Sequence, residues 1–172
     1  RLAEGLLLAL IEEGPKALRE PENYDVRANL MWASTLGLNG LIGAGVPQDW
    51  AAHRAGYELT VLYGLAHAQT LAVLVPAMLK VRSTGKKQKL LQYGERVWGI
   101  SSGAETLRID AAIERTRTFF ETMGLPTRFA DCGIKNVDAD RVVELLAEHG
   151  LATMGESGDV TPGTIREILA LC

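Results

Sequence analysis

Two of the three histidines in the chain, His53 and His67, lie fourteen residues apart within the segment 49–69. Imidazole binds zinc, iron, nickel and copper, so the pair could contribute to a metal site. A straight helix would separate their Cα atoms by about 21 Å, which excludes a shared helix face. If both rings bind one metal, a helix must end between them, and Gly64 is suited to end it. The alternative is two unrelated histidines in a packed core.

The residues around His53 allow the same two interpretations. Asp49 and Tyr57 lie four residues before and after His53, so all three could share one helix face. An acid, an imidazole and a phenol in this order could form a ligand set or a polar seam satisfied by hydrogen bonds. The third histidine, His149, precedes Gly150 at the end of a predicted helix. A partly positive ring suits the dipole there, and this favours a structural role.

Helical periodicity with Gly and Pro punctuation predicts an all-α fold, a multi-helix bundle, and alternating strand patterns are scarce. Gly14-Pro15 should end the first helix, Pro47 should precede the third, and Asp138 and Thr161 should cap the last two. The predicted helices cover residues 2–13, 24–38, from after Pro47 to near Gly64, 67–81, 86–98, 106–123, 139–149 and 162 onward.

Composition predicts one helical domain over residues 1–172, since 47% of the residues are hydrophobic. The net charge of −3 provides no domain-wide basic surface for nucleic acid, and no apolar run approaches the roughly 20 residues of a membrane span. The basic segment 80–89 is interpreted as a solvated turn and helix start. Cys132 and Cys172 form no CxxC pair, which favours free thiols in a reducing cytoplasm. The chain starts at Arg1 within an amphipathic pattern, so we expect a fragment.

Several segments resemble iron-containing alcohol dehydrogenases, most closely the branch of NADP-dependent butanol dehydrogenases and broad-range aldehyde reductases. The most specific is residues 43–79, which read GAGVPQDWAAHRAGYELTVLYGLAHAQTLAVLVPAML. The others read PENYDVRANLMWA at 21–33, KLLQYGERVW at 89–98 and RIDAAI at 108–113. The resemblance covers nearly the whole chain and is looser after about residue 127.

The resemblance implies that the chain is the C-terminal helical domain of a two-domain enzyme. The α/β dinucleotide-binding domain, which would bind NADP(H) or NAD(H), and the first two metal ligands are expected upstream and are absent from this sequence. His53 and His67 match the last two ligands of an Fe²⁺ or Zn²⁺ ion. The implied substrates are small alcohols and aldehydes. We further expect a cytoplasmic homodimer that uses neither nucleic acid nor membrane as a partner.

Tyr57 is the main departure from the family pattern, which has a histidine at this position facing the nicotinamide and the substrate. The resemblance therefore implies a cofactor-binding role for Tyr57, although a phenol is a poor proton relay at neutral pH. No catalytic acid or base is assigned. The 172 residues alone are predicted to be inactive. Two alternatives stay open: a catalytically impaired homologue, and a non-enzymatic helical module whose residues 142–171 loosely resemble a helix-turn-helix.

Overall fold

The structure, a computed structural model, describes all residues from 1 to 172 and confirms the all-α prediction. Eight α-helices are joined by turns, two of which contain short 3₁₀ segments, Leu41–Gly43 and Ala130–Cys132. The helices are α1 Leu2–Arg19, α2 Tyr24–Leu38, α3 Ala51–Tyr63, α4 His67–Val81, α5 Lys87–Trp98, α6 Glu105–Thr122, α7 Ala139–Glu148 and α8 Pro162–Ala170. None of them is long and apolar enough to cross a membrane.

The chain folds into two compact units. The first comprises residues 1–47 and 88–115, where α1 packs against α2. The second comprises residues 48–87 and 116–172, where α3 packs against α4 and α7, and α8 packs against α4 and α7. The single domain expected over residues 1–172 stays a prediction.

The core of the second unit fixes the positions of α3 and α4. Leu59 on α3 and Leu74 on α4 are fully buried together with Val142 of α7 and Ile165 and Ile168 of α8. Burial of such a side chain stabilises a fold by about 1.5–3 kcal/mol. The two histidine-bearing helices therefore have a rigid apolar support on their inner side.

The predicted helix starts are confirmed where a side chain caps the first turn. Asn23 accepts hydrogen bonds from the backbone N–H groups of Asp25 and Val26 at the start of α2. Asp138 accepts a hydrogen bond from the Arg141 N–H at 2.9 Å, and α7 begins at Ala139, directly after Asp138. Thr161 caps α8, with Pro162 as its first residue.

Both cysteines, Cys132 and Cys172, are free.

One predicted boundary involving proline was wrong. Helix α1 continues through Gly14 and Pro15 to Arg19. A proline inside a helix removes one backbone hydrogen bond and its ring crowds the carbonyl four residues earlier, but here this does not end the helix. The Lys16 ammonium also reaches back across the proline to Glu12 and Glu13, each at 2.8 Å.

Helix α3, by contrast, begins close to its predicted start. The helix was predicted to start after Pro47, and it starts at Ala51, with three residues between them. Asp49 determines this start, because its carboxylate accepts a hydrogen bond from the Ala51 N–H at 2.9 Å. The side chain thereby satisfies one of the backbone donors that every helix start leaves unpaired.

Candidate metal centre

A helix–turn–helix segment brings the two histidines together. Helix α3 ends at Tyr63, and Gly64 follows it in the left-handed conformation with φ of 68°. Its N–H donates to the Thr60 carbonyl at 2.9 Å, and α4 then begins at His67. The turn predicted at Gly64 is therefore confirmed, and His53 and His67 lie on different helices.

The two imidazoles face each other. His53 Nδ1 lies 3.2 Å from His67 Nε2, with ring centroids 5.1 Å apart and ring planes inclined at 37°. Two imidazole nitrogens bound to one metal at roughly 2.1 Å, at angles between octahedral and tetrahedral, would lie about 3.0–3.4 Å apart. The observed separation fits that range. It also allows one neutral ring to donate a hydrogen bond to the other.

The electrostatic surroundings favour neutral His53. Burial lowers its pKa below the ordinary histidine value, and the nearby His67 ring lowers it further because two imidazolium charges would repel each other. A neutral imidazole has a free nitrogen lone pair, as a metal ligand requires. No group of three or more His, Cys, Asp or Glu side chains is arranged to hold a metal.

Aromatic rings flank the pair on both sides. Trp50 packs against His53 at a centroid distance of 5.0 Å, and Tyr57 stacks on His67 at 5.6 Å with planes 26° apart. Tyr57 is 47% exposed and Trp50 is 42% exposed, so both line an open face next to the imidazoles. The phenol of Tyr57 is therefore placed to contact a molecule that approaches the pair.

Asp49 does not join this group. Its carboxylate binds Arg82 and Lys86, and Arg82 also binds Asp159 through two hydrogen bonds of 3.0 and 2.7 Å. The interpretation of Asp49 as a ligand is thus replaced by an ion-pair role. Within the basic segment, the solvated interpretation was wrong for Arg82, which is only 7% exposed, whereas Lys80, Lys87 and Lys89 are exposed as predicted.

His149 lies elsewhere and has the structural role expected of it. Its backbone N–H closes the end of α7 by bonding to the carbonyls of Leu145 and Ala147. Its ring Nδ1 lies 2.8 Å from Glu58 Oε1. Glu58 is a buried acid of α3 that the sequence reasoning missed, although it falls on the stripe of Ala51 and Ala55 that faces the core.

Comparison with known proteins decides the family. The model for the C-terminal part of the Fe-containing alcohol dehydrogenase family matches residues 1–172. The chain belongs to this family. The Fe-containing alcohol dehydrogenase resemblance of the sequence is thereby confirmed, and the all-helical architecture is that of the C-terminal domain in its solved structures.

Individual members of the Fe-containing alcohol dehydrogenase family show how close the match is. The NADPH-dependent aldehyde reductase YqhD of Escherichia coli is 56% identical over 98% of this chain and 43% of its own length. NADH-dependent butanol dehydrogenase B of Clostridium acetobutylicum is 35% identical over 99% of the chain and 44% of its own length.

Solved structures of relatives have the same fold over nearly the whole chain. The E. coli YqhD crystal structure has a TM-score of 0.97 at 56% identity, covering 99% of this chain and 44% of that one. NADH-dependent butanol dehydrogenase A of Thermotoga maritima has a TM-score of 0.90 at 28% identity, covering 98% and 44%. The chain therefore spans less than half the length of these relatives.

Proposed function

We propose that this chain forms the metal-binding helical part of an NAD(P)-dependent alcohol dehydrogenase or aldehyde reductase. The observation that carries the proposal is the 3.2 Å approach of His53 Nδ1 to His67 Nε2, at a separation suited to two ligands of one ion. Family membership supports the reaction class, and the relatives' printed activities are NADPH-dependent aldehyde reduction and NADH-dependent butanol dehydrogenation.

His53 and His67 would hold Fe²⁺ or Zn²⁺ as neutral ligands, each ring using the nitrogen that faces its partner. The bound ion would supply Lewis acidity toward the oxygen of a small alcohol or aldehyde, and the nicotinamide would carry the hydride. The lowered pKa of His53 keeps its lone pair available near neutral pH. The remaining ligands and the cofactor fold would come from outside these 172 residues, so we propose that this chain alone is inactive.

Tyr57 is proposed to contact the nicotinamide or the substrate. Its ring is held against His67, and it is 47% exposed on the face beside the imidazole pair. From this position the phenol can donate a hydrogen bond, but it cannot readily pass a proton on at neutral pH. The same observation supports a second candidate, a homologue whose activity is impaired at the proton-transfer step.

Steady-state kinetics of Tyr57→His and Tyr57→Phe separate these two candidates. They require a protein that carries this chain within the full length of its relatives. If Tyr57 impairs proton transfer, histidine raises kcat. If the phenol binds the cofactor, both variants raise the KM for NAD(P)H and histidine does not raise kcat.

The choice between NADP(H) and NAD(H), the assembly into a homodimer and the cytoplasmic location are also proposals. The relatives themselves differ in cofactor, one being named NADPH-dependent and another NADH-dependent. Cofactor choice is expected to depend on the dinucleotide-binding domain rather than on this chain.

The test of the metal assignment uses the 172-residue chain. We expect it to bind one Zn²⁺ or Fe²⁺ weakly, to lose it to a chelator, and to show no NADPH-dependent reduction of butyraldehyde. Calorimetric titration of His53→Ala and His67→Ala should show metal affinity reduced at least about tenfold, while His149→Gln serves as the matched control. Unchanged affinity in both alanine variants would contradict the assignment, and butyraldehyde reduction by the chain alone would contradict the proposed inactivity.

A further inference from the structure

Helices α3 and α4 come close together at Gly56 and Thr70. A Cβ atom placed on Gly56 would lie 2.7 Å from Thr70 Oγ1 and 3.3 Å from Thr70 Cβ. Thr70 is fully buried, and its hydroxyl donates to the His67 carbonyl at 2.8 Å. The absence of a side chain at Gly56 is therefore what allows the two helices to come this close.

The two imidazoles are placed symmetrically about this contact. His53 lies three residues before Gly56, and His67 lies three residues before Thr70. Residues three apart share a helix face, and side chains lean toward the N-terminus of their helix. Each imidazole therefore lies about one turn from this contact on its own helix, and the two rings approach each other to 3.2 Å.

We infer that Gly56 and Thr70 are positioning residues, and that their contact sets the separation of the two imidazoles. This goes beyond the proposed function and relies on it only for the use of the pair as a metal site. A Cβ at Gly56 lies 2.7 Å from Thr70 Oγ1, so the distance between these two atoms would have to increase by about 0.7 Å to reach the 3.4 Å of an ordinary contact. Metal sites tolerate roughly 0.2 Å in ligand distances, so the displacement exceeds the tolerance.

The surrounding packing gives the helices little freedom to absorb that displacement elsewhere. Ala55 and Leu59 on α3 and Val73 and Leu74 on α4 are all fully buried. Thr60 Oγ1 also lies 3.2 Å from the Gly56 carbonyl and 2.9 Å from the Leu65 carbonyl, so the same turn of α3 is tied to the loop that leads into α4. A separation of the helices at this contact would move the imidazoles that they carry.

The test compares Gly56→Ala with Gly94→Ala in the 172-residue chain. Gly94 is a matched control because its added Cβ would also be crowded, 3.2 Å from Ala112 Cβ, but at a contact that carries no histidine. In the metal-free protein, nuclear Overhauser contacts between the His53 and His67 rings should be present in the wild type and in Gly94→Ala. They should be clearly weaker in Gly56→Ala.

A second measurement uses Cu²⁺, which imidazole sites bind more tightly than other divalent first-row ions. Electron spin-echo modulation counts the imidazoles on the bound ion. We expect two in the wild type and fewer in Gly56→Ala, with the affinity reduced about tenfold. General destabilisation would not produce this selective change in ligand number.

The double variant Gly56→Ala/Thr70→Ala provides the rescue. Removing Thr70 Oγ1 deletes the atom at 2.7 Å, so ring contacts and most of the copper affinity should return. If Gly56→Ala does not fold, the double variant should restore both the fold and the ring contacts.

Ring contacts of undiminished intensity in Gly56→Ala, or failure of the double variant to restore their intensity, would overturn the inference. A different result would contradict the proposed function without contradicting this inference. If the wild-type rings are in contact but bind neither Cu²⁺ nor Zn²⁺, the metal assignment is wrong while the positioning role stands.

Discussion

Individual side chains show how context assigns different roles to the same residue type. His53 faces another imidazole beside two exposed aromatic rings, whereas His149 faces the buried carboxylate of Glu58. Residue identity and the resemblance to the family were sufficient to predict the first pair. The pairing of His149 with Glu58 depends on packing between α3 and α7, which no local sequence pattern specifies.

The buried acid Glu58 should contribute more to stability than an exposed acid. We expect Glu58→Ala to lower the free energy of unfolding by about 1–3 kcal/mol, because it leaves a cavity and removes the partner of His149. Glu148→Ala on α7 is the control, since its bond to Arg141 lies on the surface and should contribute less than about 0.5 kcal/mol. Urea unfolding of both variants measures the difference, and equal losses would show that Glu58 has no special role.

The helices themselves were largely predictable, and the exceptions have physical causes. Polar residues at helix starts predicted α7 and α8, because Asp138 and Thr161 form local caps with their own helices. Proline was a less reliable guide. Helix α1 continues through Pro15, and α3 begins only at Ala51, whose N–H donates to the Asp49 carboxylate.

The turn between α3 and α4 has a left-handed glycine whose contribution to stability can be tested. Gly64→Ala should lower the free energy of unfolding by about 1–2 kcal/mol, because a side chain is disfavoured at its φ of 68°. The added Cβ meets no atom within 4 Å, so the loss would come from the backbone and not from a clash.

Gly37→Ala in α2 is the matched control for this turn. Its added Cβ is equally free of contacts, and its backbone is helical. Alanine there should raise stability by about 0.5–1 kcal/mol. Thermal unfolding of the two variants checks the opposite signs, and a stabilising Gly64→Ala would contradict the account.

Across the chain as a whole, a set of ion pairs joins segments that are distant in sequence. Arg82, at the end of α4, binds Asp49 before α3 and binds Glu156 and Asp159 in the loop before α8. Lys86 also binds Asp49 and Glu156. These partners lie as far as 77 residues from Arg82, so the folded arrangement alone defines them and the sequence showed only a basic segment.

Loss of Arg82 should therefore destabilise the fold in a pH-dependent way. Arg82→Met leaves three carboxylates with one ammonium, and removing one member of a buried pair costs about 3–5 kcal/mol. The lower end is expected here, because the side chains of Asp49, Glu156 and Asp159 are 25%, 32% and 44% exposed. Arg54→Met, at an exposed position on α3, should change stability by less than about 0.5 kcal/mol.

The pH dependence follows from Asp159. Hydrogen bonds from Arg82 lower its pKa, with a smaller contribution from Ser157, and these outweigh burial, which alone would raise it. A carboxyl with a lowered pKa stabilises the fold above its unfolded value near 3.9, and this contribution is lost as pH falls through the folded value. Arg82→Met removes most of this stabilisation, because Arg82 is the main cause of the lowered pKa of Asp159. The difference between wild type and Arg82→Met in urea unfolding should therefore be larger at pH 7 than at pH 3, and an equal difference at both would show that Arg82 acts through packing instead.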